Sequence, residues 1–122
     1  MAFPQQRPRR LRRTPAMRRL VAETSLEARN LILPAFIKEG IKEPIELQTM
    51  PGVVQHSTES LKAAAAEAVE LGLGGIMLFG VPEEHDAHGS AGVDPEGVLN
   101  QAIRAVKAEV GDDLIVMSDL CL

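Results

Sequence analysis

From residue 31 onward, runs of apolar residues alternate with stretches of helical spacing. Residues 31–36, LILPAF, are apolar throughout, with Pro34 inside the run. A short unbroken apolar run predicts a strand covered on both faces, with Pro34 at an edge or bulge position. Residues 45–53, IELQTMPGV, hold an extended piece and then Pro51-Gly52, a dipeptide suited to a type II turn because glycine accepts positive φ. Ser57 and Thr58 offer N-cap oxygens for the segment that follows. From Leu61, the residues Ala64, Ala65, Ala68, Val69 and Leu71 recur at helical spacing, while Lys62, Glu67 and Glu70 fall elsewhere. The spacing predicts an amphipathic helix over 59–72, stopped by Gly72, whose alanine-rich face packs closely on its neighbour.

Residues 74–80, GGIMLFG, repeat the first pattern and predict a second strand with apolar cover on both faces. A polar, glycine-rich loop follows. Asp94 before Pro95 reads as an N-cap and first helical position, and Val98, Leu99, Ala102, Ile103 and Val106 form the inward stripe of a second helix running to Glu109. Residues 114–118, LIVMS, make a third strand. Strand, helix, strand, helix, strand implies parallel pairing through right-handed crossovers. In parallel α/β folds ligands gather at the carboxyl ends of the strands. That rule singles out Phe79, the loop carrying His85, Asp86 and His88, and the pair Asp119 and Cys121. Three strands also leave an open edge, so the expectation is a piece of a larger closed sheet.

Composition narrows the picture. The chain has 122 residues, no Trp or Tyr and only three Phe, so its core must be aliphatic and is thin for its size. A single cysteine cannot form an internal disulfide, and no stretch resembles a signal peptide or membrane span, which reads as cytoplasmic. The net charge of −4 hides a division: seven of the thirteen basic residues are arginines in the first twenty positions, where there is no acidic residue. Three prolines and little apolar periodicity there predict a basic arm over 1–29 without a core of its own, lying on an acidic surface such as a neighbouring copy's. Nucleic acid is not the expected partner, because no aromatics are interleaved to stack on bases and no reading module follows.

The order RRLR, LILPAFIKEG, MPGVVQHSTESL, IMLFGVPEEHDAHGSAGVDPEG, QAIRAVK and VMSDLCL resembles the amino-terminal third of the delta-aminolevulinic acid dehydratase family, also called porphobilinogen synthases. The likeness runs from Arg7 to Leu122, and its most specific pieces are Met50-Pro51-Gly52-Val53, the segment 78–82 and the segment 118–122. It implies that residues 30–122 are the first strands and helices, about three βα units, of a (β/α)8 TIM barrel, preceded by an extended arm that embraces a neighbouring subunit of a homo-octamer. The implied reaction joins two molecules of 5-aminolevulinate, with loss of two waters, into the pyrrole porphobilinogen. One substrate would be held as a Schiff base on a lysine of lowered pKa, and a metal would polarise the other.

By the same resemblance Cys121 matches the first of three zinc cysteines, Asp119 an active-site aspartate that orients the substrate amine or a water, and Phe79 an aromatic lining the substrate cavity. The other two zinc ligands and the Schiff-base lysines belong to later parts of the family's chain, so Lys38, Lys42, Lys62 and Lys107 are not given that role. Zinc is the expected metal and magnesium the alternative. Without the family, Cys121 reads as a small buried residue, Asp119 as a cap and Phe79 as core. His85, Asp86 and His88 could form a metal loop, since imidazole and carboxylate suit several divalent ions, although the family more often has Lys before this Asp. His56 reads as a surface residue. Two other readings compete. Glycines 72–75 could be taken for a phosphate-binding loop, but they follow a helix and enter a strand, the reverse of the required order. An unrelated Schiff-base aldolase barrel would lack the cysteine after the third strand.

Overall fold

The structure, a computed structural model, describes residues 9–120. Among the described residues the arm holds a short 3-10 turn, Arg10–Arg12, and a short helix, α1 (Pro15–Leu20), and a second 3-10 turn, Ala28–Asn30, leads from it into the sheet. This helix was not legible as apolar periodicity; its signal is local. Thr14 accepts a hydrogen bond from the Met17 amide at 3.1 Å, and Pro15 occupies the first helical position. No residue of either element is buried.

Five strands form one sheet. In chain order these are β1 (Ile32–Lys38), β2 (Ile45–Glu46), β3 (Val54–His56), β4 (Gly75–Val81) and β5 (Ile115–Ser118). Their spatial order is β2-β3-β1-β4-β5. The expected triplet β1, β4 and β5 is adjacent and parallel, with Phe36 level with Phe79 and Leu78 level with Ser118. Two short strands add to the three expected. β2 and β3 pair antiparallel around a turn in which the Val53 amide donates to the Met50 carbonyl at 3.0 Å and Gly52 takes φ +82°. That is the type II turn expected at Pro51-Gly52. β3 then runs parallel to β1, but only at Phe36 and Ile37. On that side β1 is therefore still an edge at Pro34, where a missing N–H is tolerated.

The first long helix, α2 (Thr58–Glu70), starts where Ser57 accepts from the Ser60 amide at 3.4 Å. It ends at Gly72, φ +70°, with the Gly72 amide on the Val69 carbonyl and the Leu73 amide on the Ala68 carbonyl. The two bonds make a Schellman cap, which a positive-φ glycine permits. Leu61, Ala65 and Ala68 are buried, whereas Leu71, expected on the inward face, lies past the last turn and is exposed. A four-residue helix, α3 (Ser90–Val93), interrupts the loop after β4. The second long helix, α4 (Val98–Val110), begins later than expected: Gly97 is its N-cap, and Asp94 instead accepts from the Glu96 amide at 2.9 Å in a turn of its own.

Both long helices pack on one face of the sheet. There Ala35, Ile37, Ile76 and Leu78 meet Leu61, Ala65 and Ala68 of α2 and Ala102, Val106 and Val110 of α4 in a single aliphatic core. Lys62 of α2 also reaches Glu109 of α4 at 3.4 Å. The opposite face carries the alternate residues Pro34, Phe36, Met77, Phe79 and Met117, covered by neither helix and none of them buried. The strands are thus apolar on both faces, as expected, but among the described residues only one face is covered. Apolar residues left open in this way suit the inside of a closed barrel, where facing strands supply the cover.

Candidate active site

The uncovered face ends in a cavity at the carboxyl ends of the strands, of about 290 Å³. Its floor is a row across the sheet. Phe36 of β1 lies level with Phe79 of β4, their ring centroids 5.3 Å apart and the planes tilted by 35°. The Asp119 amide donates to the Leu78 carbonyl at 3.0 Å, which carries the β4–β5 ladder one step past Ser118 and sets Asp119 level with Phe79. Phe79 and Asp119 both line the cavity. Cys121 lies outside the described residues.

The walls come from the loop after β4. Pro82, Glu84, His85, Asp86, Gly89, Ala91 and Gly92 line it, and the first turn of α4 closes it with Val98 and Leu99. The loop is fixed at both ends. At its start the Glu83 amide donates to the Glu39 carboxylate at 2.9 Å. At its end Asn100 donates to the Asp94 carbonyl, Gln101 to the Glu96 carbonyl and Arg104 to the Pro95 carbonyl, all from α4. Between these anchors Asp86 organises the turn: its Oδ1 accepts from the amides of His88 at 2.9 Å and Ser90 at 3.0 Å. Hydrogen bonds from Ser90, side chain first and then amide, with lesser ones from the His88 and Gly89 amides, hold the Asp86 carboxyl below the usual carboxylate range.

That role differs from the metal loop suggested by His85, Asp86 and His88. Asp86 is committed to backbone amides, and His88 does not line the cavity. Among the described residues no three His, Cys, Asp or Glu side chains converge on one point. His56 is also not a plain surface residue. It is half-buried, its Nδ1 lies 3.1 Å from the Ser60 hydroxyl, and burial lowers its pKa from the ordinary 6.5.

A profile of the family described as delta-aminolevulinic acid dehydratase matches residues 5–122. The chain belongs to the delta-aminolevulinic acid dehydratase family. It is 63% identical to the delta-aminolevulinic acid dehydratase of Streptomyces coelicolor over 99% of this chain and 37% of that protein. It is 56% identical to that of Mycobacterium tuberculosis strain H37Rv over the same shares. A crystal structure of the dehydratase, or porphobilinogen synthase, from Toxoplasma gondii in complex with the reaction product porphobilinogen superposes with a TM-score of 0.77 at 30% identity, covering 97% of this chain and 34% of that one. The chain thus spans just over a third of the length of these dehydratases, and its sheet and helices correspond to part of their TIM barrel.

Sequence reasoning placed Phe79 and Asp119 at the rim but did not single out Phe36, which it read only as part of a strand covered on both faces. In the structure Ala35 and Ile37 face the helices, so by the strand period of two Phe36 faces away from them. Gly80 was also passed over. The absence of a side chain there lets Leu99 of α4 approach the end of β4 and close the cavity.

Proposed function

We propose that the chain is the amino-terminal part of a porphobilinogen synthase, which condenses two 5-aminolevulinate molecules into porphobilinogen with loss of two waters. The observation that carries this reading is the meeting of Asp119 and Phe79 in one cavity at the carboxyl ends of parallel strands. Asp119 is the group for the substrate ammonium: a carboxylate beside an apolar wall attracts a cation and accepts its hydrogen bonds. Phe79 supplies apolar surface for the carbon chain. The lysine nucleophile is contributed by residues other than Lys38, Lys42, Lys62 and Lys107, none of which lines the cavity.

The metal follows the same division. The described residues do not form a metal site by themselves. In our reading Cys121 gives one thiolate of a zinc site that is completed by further cysteines of the complete protein, with magnesium as the alternative metal; the metal supplies Lewis-acid polarisation of a substrate oxygen. No helix among the described residues is long and apolar enough to cross a membrane. The proposed setting is the cytoplasm, as a homo-octamer in which the basic arm, residues 1–29, embraces a neighbouring subunit.

The test is direct. The purified complete protein, given 5-aminolevulinate, is expected to release porphobilinogen, and to contain bound zinc that C121A reduces. Absence of porphobilinogen formation with either metal supplied overturns the assignment.

A further inference from the structure

Only three phenylalanines occur in the chain, with no Tyr or Trp, and its helix-covered core is entirely aliphatic. Two of the three sit side by side on the other face, at the floor of the cavity. Phe36 and Phe79 share one level of the parallel ladder, with centroids 5.3 Å apart and planes at 35°. That separation is within the range of a genuine aromatic pair, and the tilt lets the edge of one ring rest against the other. Neither ring is fully buried, and both line the cavity. Two rings in contact on adjacent strands form one continuous aromatic surface at the bottom of the cavity.

We propose that Phe36 is a specificity-determining residue of the substrate cavity: with Phe79 it forms a two-ring floor that limits the length of the carbon chain accepted beside Asp119. The inference rests on the reading of the cavity as the 5-aminolevulinate site. In this proposal a short 4-oxo acid lies between the floor and the loop wall at Pro82 and Leu99, and further methylenes at its keto end press against the rings. Replacing Phe36 by a smaller side chain opens space beneath the substrate without touching Asp119 or the backbone amides that shape the loop.

The experiment uses the complete protein and two competitive inhibitors, 4-oxopentanoate and 4-oxoheptanoate, compared by the ratio of their inhibition constants. Wild type should favour the shorter acid. F36A is expected to move the ratio by roughly tenfold toward the longer acid and F36L by about threefold, the scale that one or two methylenes carry in a shaped apolar pocket. F36L also serves where F36A does not fold. A general loss of activity with an unchanged ratio, in whichever variant folds, overturns the proposal, because a merely structural role weakens both inhibitors alike. A crystal of the wild-type protein with 4-oxopentanoate provides a check that needs no variant: a chain carbon should lie within about 4 Å of both rings, and a ligand seated away from Phe36 counts against the floor. Failure of wild type to form porphobilinogen is a separate outcome and strikes the enzyme assignment itself.

Discussion

Gly80 and Leu99 touch with no space to spare: a Cβ built on Gly80 would lie 2.9 Å from the Cβ of Leu99. Real Cβ atoms do not approach so closely, so G80A forces β4 and the first turn of α4 apart. The expected cost is about 1–3 kcal/mol, as for other over-packed sites. The shift also moves Leu99 at the cavity wall. Denaturant unfolding of the purified chain gives the first quantity, and the KM of the complete protein for the proposed substrate 5-aminolevulinate, expected to rise, reports the second.

Ala65 tests the close packing of α2. It is completely buried, at the centre of the face that meets Ile37 and Val106 in the shared core. A65L adds three carbons at a fully buried site, and the expected loss is again about 1–3 kcal/mol despite the good helix propensity of leucine. An unchanged denaturation midpoint in A65L would show that α2 rides higher on the sheet than described.

The His56 ring makes stability depend on pH. Burial holds its pKa below the ordinary 6.5, so the unfolded chain takes up the proton more readily than the folded one. Its contribution is therefore complete above 6.5 and is lost as the pH falls below that value through the folded one. The start of α2 adds to the effect, since the positive end of the helix dipole disfavours an imidazolium beside Ser57 and Ser60. Going from about pH 7.5 to about pH 5.5 should lower the unfolding midpoint of wild type more than that of H56Q. Equal shifts in the two proteins would remove His56 from the account.

Asp119 separates chemistry from stability. It is half-buried one residue past β5, where its amide is tied into the ladder. In the complete protein D119N is expected to lower kcat by roughly 10²–10⁴, the range for loss of a positioned acid–base or charge-orienting group, while the thermal midpoint stays where it was. A fall in the midpoint that accounts for the lost activity would assign Asp119 a structural role.

The sequence read well wherever a local signal and the tertiary demand agreed. Ser57 and Gly72 bound α2 because a hydroxyl that caps and a glycine that reverses the chain act at short range. The parallel triplet was legible from unbroken apolar runs. Asp94 misled because its side chain can cap a helix or a turn equally well, and the closer Gly97 took the helix. β2 and β3 were hidden by their length, two and three residues, too short for periodicity to register. Phe36 was missed for a different reason: an apolar strand does not say which of its faces a helix will cover, and that is decided by α2 and α4 many residues away.

The two faces of the sheet also mature at different moments of synthesis. Every buried side chain of the aliphatic core lies at or before Leu114, so that face can close once this stretch has left the ribosome. At that point Phe36, Met77 and Phe79 still look outward. A nascent chain at this stage is half finished in a literal sense: one side of the sheet is sealed, and the other is a greasy plate that a holdase chaperone can grip without disturbing what has already folded.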